Sequence, residues 1–148
     1  MRSPTAKPIN VTKALTIRQP WAYAILHLGK DVENRSWRTH YRGPLLIHAA
    51  ARSVRNPRRM LSEYMKRPPS EESLRDLPIG SIVGVVDLVD CVSNSRSKWA
   101  DPGQWHWVLK RARSMEPVEC TGRLGLWSPP TGVMKKISKW ISEGKRRT

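Results

Sequence analysis

Residues 15–50 read LTIRQPWAYAILHLGKDVENRSWRTHYRGPLLIHAA, and the order of local signals in this stretch decides the fold class. Ala14 to Arg18 (ALTIR) alternates apolar and polar well enough to predict a short strand. Pro20 is expected to open a helix as its first residue, where a missing N–H is harmless, and Gly29 to close it. Trp21, Ile25 and Leu28 fall at i, i+4 and i+7, which makes one buried stripe. Val32 to Trp37 predicts a second strand. A turn containing Arg42 and Gly43 then leads into a third, Pro44 to Ala49, and these two are expected to pair antiparallel.

Outward from this stretch the pattern changes. Arg52, Arg55, Arg58, Arg59, Lys66 and Arg67 face a single acid, Glu63, in a segment that leaves and rejoins a sheet. Asn56-Pro57 suggests a cap and first residue of a helix to about Met65, and Ser70 before Glu71 and Glu72 suggests a further helical turn. Ile82 to Val92 (IVGVVDLVDCV) is β-branched and long, interrupted only by Asp87 and Asp90. Gln104 to Leu109 and Arg123 to Trp127 predict two more strands. From Thr131 an amphipathic helix carries Val133, Ile137, Trp140 and Ile141 on one side and Lys135, Lys136 and Lys139 elsewhere. Six short strands with inserted helices predict an α+β domain over residues 14–142, a barrel-like sheet with helices at its ends. A flexible basic arm (1–13) and a basic tail (143–148) are expected to flank it.

The chain's 148 residues are enough for one domain with a real core. Its 27 Lys and Arg against 12 Asp and Glu give a formal charge of +15, a field that draws in polyanions. No stretch approaches the ~20 apolar residues of a membrane span, and Met1 to Asn10 lacks the apolar core of a signal peptide. Cys91 and Cys120 are far apart and form no CxxC pair, which predicts free thiols and a soluble, cytoplasmic protein. Seven Trp and three Tyr occur with no Phe, an inventory that offers flat faces with a polar edge.

The most chemically suggestive cluster is Lys30, Glu33 and Arg35. Glu33 and Arg35 share a strand face, and Lys30 on the preceding turn can fold its ammonium back toward the carboxylate. Such a lysine can hold an anion or, if desolvated, act as base or nucleophile. The same charges also suit a solvated loop. A second set interleaves Trp21, Tyr23, Trp37, Tyr41, Trp105, Trp107 and Trp127 with Arg18, Lys30, Arg35, Arg38 and Arg42. Bases stack on such rings for ~1–3 kcal/mol each. Of these, Trp37 and Trp107 are expected in the core, as is Trp140. Arg18 is a candidate phosphate contact, and Ser128 a candidate at a cleft mouth. His48 and His106 show no metal-ligand spacing, and each is expected to be a hydrogen-bonded structural histidine.

The 15–50 run resembles the opening of an ASCH domain. The family's Gly then Lys-x-x-Glu-x-Arg pattern falls on Lys30, Glu33 and Arg35, and GSIVGVVDLVDCV, QWHWVL and GRLGLW follow in the family's order. The resemblance spans about Leu15 to Pro130. It implies a PUA-like small β-barrel of about six strands with flanking helices, a cleft on one side and RNA as partner. One branch of the family hydrolyses the acetyl amide of N4-acetylcytidine with a Lys, a Thr and a Glu, and ribonuclease-like activity is also associated with the family. By position that lysine is Lys30, the threonine position holds Glu33, and the distal acid falls on Asp87.

The expected function is therefore RNA or nucleobase binding in a cationic, Trp-lined cleft. Its nucleic-acid contacts would come from Arg18, Trp21, Tyr23, Arg35, Arg38, Arg42, Trp105, Trp127 and Ser128. The alternative is a hydrolase of RNA or modified nucleosides that works through Lys30, Glu33 and Asp87. Neither reading calls for a cofactor or a metal.

Overall fold

The computed structural model describes residues 12–147, with side chains as far as Glu143. In chain order the elements are β1 (Lys13–Ile17), α1 (Trp21–His27), β2 (Val32–Arg35), β3 (Gly43–Ala49), α2 (Pro57–Ser62), α3 (Glu71–Arg75), β4 (Ser81–Val92), β5 (Trp105–Glu119), β6 (Leu126–Trp127) and α4 (Thr131–Arg147). Six strands form one curled sheet in the order β2-β5-β4-β3-β1-β6, flanked by the four helices. This is the α+β, PUA-like architecture that the sequence predicts. Residues 1–11 of the expected arm lie outside the described residues, whereas Lys13 already belongs to β1. The backbone of α4 continues helical to Arg147, past residue 143 where the tail was expected to begin.

The strand pairing corrects one expectation. β2 and β3 are not partners: β2 pairs antiparallel with β5, and β3 lies between β4 (antiparallel) and β1 (parallel). The short 36–42 connection made a hairpin attractive. However, β3 is buried on both faces, so it needs neighbours on both sides and layers above and below. Leu45 and Ile47 face the inner core with Leu15, Ile17, Val86, Leu88 and Trp107. Leu46 faces the other way, onto Ala14, Val85, Trp127 and the buried Ile137 of α4, where Val133, Trp140 and Ile141 pack as their spacing predicts.

Three other elements differ from expectation. β5 runs for 15 residues because its polar second half, Lys110 to Glu119, pairs with β4 through two irregularities in register. β6 shrinks to two residues, since Gly122 to Gly125 belongs to the loop before it. Pro20 stands at the N-cap rather than inside α1, so the chain's first helical residue is Trp21. Ser70 caps α3 as expected, its hydroxyl accepting from the Ser73 N–H. Trp37 is 37% exposed, its ring set edge-on against Trp107 at 4.7 Å, and so is not a core residue. The buried aromatic that the sequence concealed is Trp99, which stacks on Tyr64 in a third cluster beneath α2 and α3.

Candidate functional site

β2 begins directly after the α1 turn, and this junction builds a chain of three charges. Lys30 Nζ donates to the Val32 carbonyl and to Glu33 Oε1 at 3.0 Å. Glu33 Oε2 accepts from Arg35 Nε at 3.1 Å, and Arg35 Nη2 donates to the Thr16 carbonyl at 3.0 Å. Lys30 is 4% exposed and Glu33 7%, so the pair is desolvated. Burial alone would raise the Glu33 pKa, but the Lys30 and Arg35 charges and hydrogen bonds outweigh it and hold the carboxyl below its ordinary value. Trp21 covers the junction, with the Lys30 ammonium 5.8 Å from its ring centre. The sequence expectation that Lys30 folds back onto Glu33 is met.

A cavity of about 800 Å³ opens beside this chain. Its walls are Thr16 and His48 at the ends of β1 and β3, Arg35, Ala51, Gly80, and the segment from Glu119 to Gly125. Arg35 is the member of the charged triad that reaches it, and Lys30 instead borders a separate pocket of about 110 Å³. Leu124 stands on the rim, 98% exposed. Beside it are Arg123 and a backbone kept open by Gly125 at φ +66°.

No tryptophan lines this cavity. Trp127 lies buried behind the wall, its indole N–H donating to Thr16 Oγ1 at 3.1 Å and its ring edge-on to His48. Trp105 is Arg35's cross-strand partner, and the Arg38 guanidinium lies 5.3 Å from its ring centre. Trp21 packs edge-on against Tyr64, and the Tyr23 ring lies tilted against His27, on the helical side. Arg18 is exposed and donates to the Ser53 carbonyl, Arg42 reaches Asp90 at 3.7 Å, and exposed Ser128 accepts from Lys13.

Of the hydrolytic set implied by the family resemblance, two members are in direct contact. Lys30 and Glu33 touch, but Asp87 turns to Arg111 and Arg113 on β5. Sequence reasoning also passed over a wall residue: His48 was expected to be structural, yet one face of it borders the cavity. The glycine pair at 122 and 125 was the available signal, because a loop so built approaches a neighbouring strand closely. Among the described residues, no three His, Cys, Asp or Glu side chains converge as a metal-binding group.

A curled α+β sheet tied by the Lys30–Glu33–Arg35 chain, with a cavity at its strand ends, has the architecture of a PUA-like domain. Residues 15–119 match the family model described as ASCH domain, and the chain belongs to that family. It is similar to activating signal cointegrator 1 of Homo sapiens, 38% identical over 87 residues that cover 57% of this chain and 15% of that protein. The Mus musculus protein of the same name is 36% identical over 85 residues, covering 55% and 15% respectively. The similarity thus spans a small part of those longer proteins.

Proposed function

We propose that this domain binds single-stranded RNA and takes one unpaired base into the cavity beside Arg35. The observation that carries the reading is the guanidinium itself. Arg35 is anchored on Glu33 and Thr16, so its charge and remaining donors are pre-aimed at a cavity of about 800 Å³. The formal charge of +15 supports a polyanionic partner, and the basic residues of the 52–67 excursion are all exposed for phosphate contact. The RNA association implied by the ASCH resemblance points the same way. Unpaired bases are the natural target, since sequence-specific RNA recognition reads splayed, single-stranded elements. On this reading Trp105 with Arg38, across the strand pair from Arg35, and exposed Trp37 supply stacking faces, while Arg18 adds a phosphate contact. The free cysteines Cys91 and Cys120 suit a reducing, cytosolic setting. No helix among the described residues is long and apolar enough to cross a membrane.

The test is a salt series of RNA titrations. Log affinity falls linearly with log salt if Lys and Arg displace condensed counterions, and reversing charges in 52–67 lowers affinity for all sequences alike. An affinity independent of salt overturns the phosphate-contact model.

A further inference from the structure

Leu124 is 98% exposed and lines the cavity of about 800 Å³. Ile79, 49% exposed, directly precedes Gly80 of the same wall. A lone exposed leucine is ordinary and needs no explanation. What sets Leu124 apart is how it is held. Before it, the Cys120 N–H donates to the Gly80 carbonyl at 3.1 Å, and the Cys120 carbonyl accepts from His48 Nε2 at 2.6 Å. After it, Leu126 and Trp127 pair with Leu15 and Ala14 in the β1–β6 ladder.

Between these ties the backbone lies flat on the cavity wall. A Cβ at Gly122 would fall 2.7 Å from both Thr16 Oγ1 and His48 Cε1, so the chain there is in close contact with β1 and β3. Gly125, at φ +66°, then turns it back toward β6. A loop of five residues is thus pinned at both ends, and it presents an aliphatic side chain to solvent. The charged residues of the lining are Arg35, Arg123 and Glu119, and Arg123 adjoins the leucine. An apolar tip beside a guanidinium suits a chain that alternates flat bases with anionic phosphates. A protein partner would ask for more apolar area than two aliphatic side chains provide.

We infer that Leu124 is a wedge: when one base enters the cavity, its side chain lies against the face of the adjoining base and keeps the two apart. The inference rests on the base-binding reading above and names the residue that parts the captured base from its neighbour. Separating stacked bases bares an apolar face to water. Leucine covers that face, and because its own side chain is bare in the free protein, one contact removes two apolar surfaces from water.

The experiment titrates the full chain into a short oligoadenylate carrying one internal 2-aminopurine, whose fluorescence is quenched by stacking. Fluorescence is expected to rise on binding to the wild type. Leu124→Ala, which removes only exposed atoms and so should fold normally, is expected to lose the rise at saturating protein and to bind about tenfold weaker. Its slope of log affinity against log salt should stay unchanged, because no phosphate contact is lost. Leu124→Met, which keeps the apolar bulk, should restore both signals. Salt-dependent RNA binding with an undiminished rise in Leu124→Ala overturns the wedge and leaves the RNA reading standing. Binding with no rise in the wild type does the same. Failure of the wild type to bind RNA overturns both, and a protein partner then becomes the reading for this rim.

Discussion

Arg35 on β2 donates to the backbone carbonyl of Thr16 on β1 at 3.0 Å, and these strands lie four places apart in the sheet order. The sheet therefore curls until one edge strand meets the far side, and the tie between them is a charged side chain rather than a strand ladder. The same guanidinium walls the cavity. Closure of the fold and construction of the site are one interaction.

Arg35→Lys separates geometry from charge. Lysine keeps the charge but has no planar fork to serve Glu33 and Thr16 together. Loss of these charge-assisted bonds should lower stability by about 1.5–3 kcal/mol in urea melts and weaken RNA binding more than a single surface Lys or Arg replacement does.

The Lys30–Glu33 pair makes a sharper prediction about stability. Lys30→Met leaves a carboxylate buried with only Arg35 beside it, a loss of about 3–5 kcal/mol. Adding Glu33→Gln to Lys30→Met should restore part of that loss, because no unpaired charge is then buried. Denaturant melts of the two single variants and the double variant measure the coupling.

Stability should fall in two stages on acidification. Burial lowers the His48 pKa below its ordinary 6.5, against the opposing pull of the Cys120 carbonyl. Below pH 6.5 the unfolded chain thus takes up a proton that the folded chain resists, and stability drops. Glu33, despite the opposing effect of burial, is held below its ordinary 4.5 by Lys30 and Arg35, so its contribution is present above that pH and lost beneath it. The first stage should vanish in His48→Gln and the second in Glu33→Gln, measured as the pH dependence of the urea midpoint.

Gly84 on β4 has no room for a side chain. A Cβ there would lie 2.5 Å from Leu26 Cδ2 and 2.7 Å from the Arg113 carbonyl. Leu26 can turn aside but the strand backbone cannot, so Gly84→Ala should cost about 1–3 kcal/mol and lower the melting temperature.

Much of this molecule was legible because its signals are local. Trp21, Ile25 and Leu28 mark α1 by spacing, the β-branched run marks β4, and the three-residue gap between Lys30 and Glu33 brings ammonium to carboxylate. Non-local features were not legible. The hairpin assigned to β2 and β3 failed because strand neighbours are chosen by burial on both faces of β3, which residues 32–49 do not reveal alone. The second half of β5 is polar and mostly exposed, so nothing in its composition announces a strand. It is held by the β4 ladder and by Arg111 and Arg113 reaching Asp87. The cavity joins Thr16, Arg35, His48 and Gly122 from four separate stretches, and of these only Arg35 was read as a site residue from the sequence.

The central claim is that RNA enters the cavity beside Arg35. Backbone amide NMR during titration with a short single-stranded RNA tests it most directly. Saturable shift changes concentrated at Thr16, Arg35, His48 and residues 119–125, and lost in Arg35→Ala, are the predicted result. Changes confined to the basic 52–67 excursion and α4, unaltered in Arg35→Ala, would contradict it.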